Sequence, residues 1–189
     1  LADGGANTLT LTNANFAGIG SAAITVYDGD GGNTVNGSSL SSPDAIVAYA
    51  GAGLDKLTGG AGNDVFFAGG STTMTGKTGT NEFAFFGPGA ANVIADFAAS
   101  ATNEIAFSNF GFSLGLPGAS AAPKALPTTL FVANSSGSFT NAVQRFAYNT
   151  TSGQMMFDAD GNGSGSAPQL VSTLTNHPTV TASQLFFVT

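Results

Sequence analysis

The stretch from Ala50 to Phe67 reads AGAGLDKLT followed by GGAGNDVFF, and its periodicity decides how the whole chain is read. Its second half, Gly59–Phe67, fits the nonapeptide G-G-x-G-x-D-x-U-x (U apolar) at every specified position, and Ala50–Thr58 fits all but the first. Asp55 and Asp64 therefore stand nine residues apart, as do Leu57 and Phe66. Weaker copies flank them. Gly76–Ala84 (GKTGTNEFA) carries Asn81 where the Asp belongs, with Glu82 beside it, and Asp28–Asn36 (DGDGGNTVN) offers Asn33 and an apolar Val35. Asp3, Gly5, Asn7 and Leu9 give a fainter echo.

Each nonapeptide supplies a glycine-rich turn and a short strand, and two of them close one coil of a solenoid. The glycines are expected to take backbone angles closed to other residues, turning their carbonyls toward a cation. The Asp adds a carboxylate, and the turn one coil away completes an oxygen cage of the kind Ca²⁺ needs, about six to eight ligands. The candidate ligands are Gly51, Gly53 and Asp55 in one turn and Gly60, Gly62 and Asp64 in the next, with Asn81 or Glu82 facing Asp64. Asp55 would face Asn36-Gly37 or Thr72-Thr73, neither a carboxylate. Between none and about three ions are therefore expected, with Asn and Thr ladders in the other coils.

Composition agrees with short strands. Of 189 residues 27 are glycine and only 8% are charged, well below the usual quarter of a soluble domain, and apolar residues alternate in bursts such as Leu9/Leu11, Ile24/Val26 and Phe83/Phe85. Four basic residues against eleven acidic ones, a net charge of -7, exclude a phosphate-binding footprint and favour cations. No apolar run is long enough to span a membrane. Without cysteine and with one histidine, His177, the chain has no thiolate or zinc framework. H-E-x-x-H and G-x-S-x-G are absent and Gly70–Thr78 has the wrong spacing for a P-loop, so no catalytic residue is expected and any catalytic part would lie upstream. Leu1-Ala2-Asp3-Gly4-Gly5 has no basic start followed by an apolar stretch, so no cleavable leader is expected, and the missing initiator Met points to a fragment or processed product.

Texture changes near residue 91, giving two expected regions: a glycine-rich roll over 1–91 and a capping β-domain over 92–189. In the second, Gly115–Pro127 reads as a loop, Arg145–Tyr148 and Gln154–Asp158 as a hairpin, Leu170–Leu174 as a strand, and Thr181–Gln184 as a capping box before Leu185–Val188. Phe107, Phe110, Phe112 and Leu114 are core candidates. Asp158-Ala159-Asp160-Gly161-Asn162-Gly163 matches the first half of an EF-hand loop, with Asp158, Asp160 and Asn162 as oxygen donors. Position twelve is Gln169, however, which cannot give a bidentate carboxylate, so an Asx-stabilised hairpin loop is the competing reading.

The tandem nonapeptides resemble the RTX (repeats-in-toxin) proteins of type I secretion. Val93-Ile94-Ala95-Asp96-Phe97 with Asn103-Glu104-Ile105-Ala106-Phe107 is similar to the signature that closes RTX rolls, and Phe146–Val188 to the C-terminal target domains of type I substrates. The resemblance covers most of the chain from Ala50 onward. It implies an all-β fold, a degenerate parallel β-roll capped by a C-terminal antiparallel β-domain, that binds Ca²⁺ and folds after export by the type I secretion machinery. A self-assembling surface-layer, adhesin or filament subunit, and an accessory domain of a secreted hydrolase or carbohydrate-active enzyme, are the alternatives. A threonine-ladder ice array is disfavoured because Thr8-Thr10-Thr12 is not expected to recur on successive coils.

Overall fold

Alternating apolar residues between glycine turns become sixteen short strands in a computed structural model that describes residues 1–118, 120 and 122–189. One nine-stranded sheet runs, in spatial order, β1 (Thr8–Thr10), β3 (Thr34–Asn36), β5 (Lys56–Thr58), β7 (Thr73–Thr75), β9 (Asn92–Ile94), β15 (Gln169–Leu174), β14 (Gln154–Phe157), β13 (Phe146–Asn149) and β12 (Phe131–Asn134). The seven-stranded sheet runs β11 (Lys124–Ala125), β16 (Leu185–Val188), β10 (Glu104–Ser108), β8 (Glu82–Phe85), β6 (Val65–Ala68), β4 (Ala45–Tyr49) and β2 (Ala23–Tyr27). From β1 to β10 successive strands alternate between the sheets, and every pairing among them is parallel.

The two tandem nonapeptides lie in this stack, β5 between β3 and β7 and β6 between β4 and β8. The apolar residue two places after each Asp or Asn points inward: Val35, Leu57, Phe66 and Phe83 are all fully buried, with Met74 and Ile94 beside them. Each such side chain removed from water contributes about 1.5–3 kcal/mol, which lets strands of three residues persist.

Beyond residue 91 neither sheet breaks. β9 and β10, expected to cover the open end of the roll, instead extend both sheets, and β15 and β16 pair parallel to them after a long excursion. Among the described residues antiparallel pairing is confined to β13–β14–β15 and to β11 on β16. The expected hairpin, the 169–174 strand and the Thr181 capping box before β16 are all present. The join is aromatic: Phe146 stacks on Phe107 with centroids 3.8 Å apart, and Phe112 meets Phe107, Phe146 and Phe157 edge-on. Phe110 departs from expectation. It is 91% exposed, because the turn after Ser108 swings it outward while Phe112 turns in. The 115–127 segment is irregular save for β11, and Ala119 and Ala121 lie outside the described residues.

On the outer face of the nine-stranded sheet, Thr8, Thr34 and Thr73 share one row with Lys56, and Thr10, Thr58 and Thr75 share another with Asn36. This corrects the sequence-based expectation: threonines do recur on neighbouring strands, hidden in the sequence by the unequal spacing of those strands. No helix of the described residues is long and apolar enough to cross a membrane.

Candidate metal centre

The sixth residue of each repeat enters its strand as a buried hydrogen-bond acceptor. Along the seven-stranded sheet, Asp64 Oδ1 accepts the Ile46 N–H at 2.7 Å, Asn81 Oδ1 accepts the Asp64 N–H at 3.0 Å, and Asn103 Oδ1 accepts the Asn81 N–H at 2.9 Å. Along the other, Asn33 Oδ1 accepts the Asn7 N–H and Asp55 Oδ1 the Asn33 N–H. Thr72 interrupts this ladder, and the Asp55 N–H turns to the Ser71 carbonyl instead. Asn92 resumes it by accepting from the Thr72 N–H. These side chains satisfy backbone groups at the turn–strand boundaries, where buried N–H groups would otherwise lack acceptors.

The glycine turns pack closely on one another. A Cβ on Gly51 would lie 2.3 Å from the Gly29 carbonyl oxygen, one on Gly53 2.1 Å from that of Gly31, and one on Gly62 2.2 Å from that of Asp44. Gly60 is equally crowded, by Leu40 Cβ at 2.6 Å. None of the four has a positive φ, contrary to the sequence-based expectation. They are glycine because the neighbouring turn leaves no room for a side chain, not because the backbone is left-handed.

Not all the predicted ligands are free to hold an ion. Asp64 has no exposed surface, and its second oxygen accepts the Gly60 N–H at 2.9 Å, so both oxygens already serve the protein. Burial nonetheless pushes its carboxyl up to about 6, against the pull of those two N–H groups. Asn81 lies next to Asp64 as predicted. Glu82 does not: it stands in β8 opposite Val65 and Glu104, where burial and the Glu104 charge push it up to about 7.

Unmet oxygens gather instead at Asp55 and at Asp28, a residue the repeat pattern did not single out. Asp28 is 9% exposed, and neither carboxylate oxygen has a hydrogen-bond partner. Asp55 is 2% exposed and its Oδ2 is likewise unpartnered. Burial, then the neighbouring Asp55 charge, push Asp28 up to about 6 against the pull of the Leu1 ammonium and of donors at Asn33 and Gly29, and burial raises Asp55. Three buried acceptor oxygens from two adjacent like-charged groups call for a cation or shared protons. Asp28 occupies a glycine position of the consensus in its copy, so only the stacking of Gly29 under Gly51 reveals its place.

The Asp158–Gly163 loop follows β14. Asp158 is 1% exposed, Asp160 is half-buried and Asn162 is exposed. Gln169, its twelfth position, opens β15 opposite Phe157, so the loop closes as a hairpin connection rather than between helices. Among the described residues no three acidic or histidine side chains converge on one point. Any ion here would draw its remaining ligands from backbone carbonyls and water. The oxygen-only donors at Asp28–Asp55 fit a hard cation such as Ca²⁺. No family model, curated protein or solved structure matches the chain.

Proposed function

We propose that the chain is a non-catalytic module of a secreted protein: a degenerate parallel β-roll of RTX type, stabilised by Ca²⁺ outside the cell after type I export. The observation that carries this reading is the Asp28–Asp55 pair, with three buried carboxylate oxygens left without a partner in a stack of glycine turns. A cation bound there acts by linkage. It binds only the folded chain, so folding is favoured by RT ln(1 + [L]/Kd), about 2.7 kcal/mol at a hundredfold excess over Kd. With two carboxylates and weak neutral ligands, Kd belongs in the range of about 10⁻⁴–10⁻³ M typical of extracellular modules. Scarce calcium inside the cell then leaves the chain easier to unfold and thread through the type I machinery. Millimolar calcium outside closes it.

The test is a thermal melt by circular dichroism with and without 10 mM CaCl₂, about ten to a hundred times the expected Kd. Wild type should gain several degrees, and the Asp28→Asn/Asp55→Asn double variant should gain much less. Asn at 55 keeps an acceptor for the Asn33 N–H, as Asn33 does for Asn7. Equal gains in both proteins, or none in wild type, would remove the reading.

Self-assembly is favoured by a separate observation. Tyr27, Tyr49, Phe67 and Phe86 stack in sequence on the outer face of the seven-stranded sheet, and the stack ends in Tyr27, 69% exposed on the edge strand β2. Such an edge is a surface on which a second copy or a cell-surface partner can add. Sedimentation of wild type and Tyr27→Lys across a concentration series separates the two readings: a monomer throughout excludes assembly.

A further inference from the structure

We infer that the Asp158–Gly165 loop is a second site for a hard divalent cation of the Ca²⁺ kind, outside the stacked glycine turns and independent of them. Asp158 is 1% exposed; its Oδ1 accepts the Asp160 N–H at 3.1 Å, while its Oδ2 is buried without a partner. Asp160 repeats the pattern. Its Oδ2 accepts the Gly165 N–H at 2.7 Å and its Oδ1 is buried without a partner.

The loop is shaped around these carboxylates. A Cβ on Gly163 would lie 2.4 Å from Asp160 Oδ2, so the backbone is bare where the carboxylate stands. Across from it, Gly161 packs under the carbonyls of Asn141 and Gln144, 2.4 and 2.9 Å from where its Cβ would be, and the Asn162 N–H donates to Asn141 O at 3.2 Å. The basic group beside the loop is already engaged. Arg145, whose carbonyl accepts the Asp158 N–H, directs its Nη1 at the carbonyls of Ala142, Val143 and Gln144.

Two buried, unpartnered carboxylate oxygens two residues apart, with no protein cation on them, are what a bound divalent ion would satisfy. Oxygen-only ligands on an irregular loop suit Ca²⁺ better than Mg²⁺, which demands near-octahedral geometry and gives up water reluctantly. A bound ion would tie the loop after β14 to the 141–145 segment before β13 and so close the far end of the hairpin.

The experiment is isothermal titration at pH 7 with CaCl₂, and separately MgCl₂, on wild type, Asp160→Asn and Asp28→Asn/Asp55→Asn. Asp160→Asn should bind one Ca²⁺ fewer per chain than wild type, and the double variant should keep that ion; Mg²⁺ should bind it more weakly. Loss of all binding in the double variant, with Asp160→Asn binding as wild type does, would keep the glycine-turn site and overturn this one. Unchanged stoichiometry and affinity in Asp160→Asn overturns the second site whatever the turns do. Should that variant misfold, amide shifts of Gly161–Gly165 in wild type during the same titration decide: movement supports the site, and none overturns it.

Discussion

Replacing Asp64 by Asn tests the ladder through its pH dependence. In the folded chain this carboxyl is buried and pushed up to about 6 from 3.8, so the native state holds its proton more tightly than the unfolded state does. Its share of stability is fully present below about 3.8 and is lost as pH rises through about 6; two units amount to about 3 kcal/mol. Asn carries no such dependence. Its Oδ1 can accept the Ile46 N–H as Asn81 does for Asp64, but its amide leaves the Gly60 N–H without an acceptor, at about 1–2 kcal/mol. Asp64→Asn should therefore be less stable than wild type at pH 4 by about 1–2 kcal/mol, and more stable by about the same amount at pH 7.5. Urea unfolding in EGTA, followed by far-ultraviolet circular dichroism at several pH values, reads the difference directly. Two curves that stay parallel from pH 4 to 7.5 would refute the buried, charged acceptor.

Three further outcomes are expected. Gly53→Ala places a methyl 2.1 Å from the Gly31 carbonyl oxygen and should lower stability by about 3 kcal/mol or prevent folding, whereas Gly5→Ala, with open space around it, should stay within about 0.5 kcal/mol of wild type in the same melts. Glu82→Gln should raise the melting temperature at pH 8.5 and leave it nearly unchanged at pH 5, since burial and Glu104 disfavour only its ionised form, with a folded value of about 7. Calcium uptake should release protons and tighten as pH rises from 5 to 7, because a cation beside Asp28 draws down a carboxyl otherwise held near 6; titrations in buffers of different ionisation enthalpy measure the release.

Much of this architecture was legible because one nonapeptide repeats in place. Asp55 and Asp64 sit where the repeat puts them, as do two of the fainter copies: Asn33 and Asn81 take the sixth-residue role as acceptors, while Asn7 instead donates to Asn33, and Val35, Leu57, Phe66 and Phe83 fill the interior. Two classes of feature escaped. The spacing varies, with ladder partners 17 residues apart at Asp64–Asn81 but 22 apart at Asn33–Asp55 and Asn81–Asn103. A fixed period therefore finds neither Asn92 and Asn103 nor the neighbour that Asp28 makes for Asp55. Chemical role was the second. A carboxylate in a glycine turn reads as a metal ligand, yet Asp64 spends both oxygens on backbone N–H groups, which only the register between neighbouring strands discloses. Likewise nothing in the local pattern tells Phe110 from Phe112, because the tight turn between them sets which one faces the core.

A crystal grown in millimolar calcium and measured with anomalous scattering bears most directly on the proposed cation dependence. The account predicts a peak touching the carboxylates of both Asp28 and Asp55. Well-ordered density at that position with no anomalous signal, only water or two carboxyl groups sharing a proton, would contradict it.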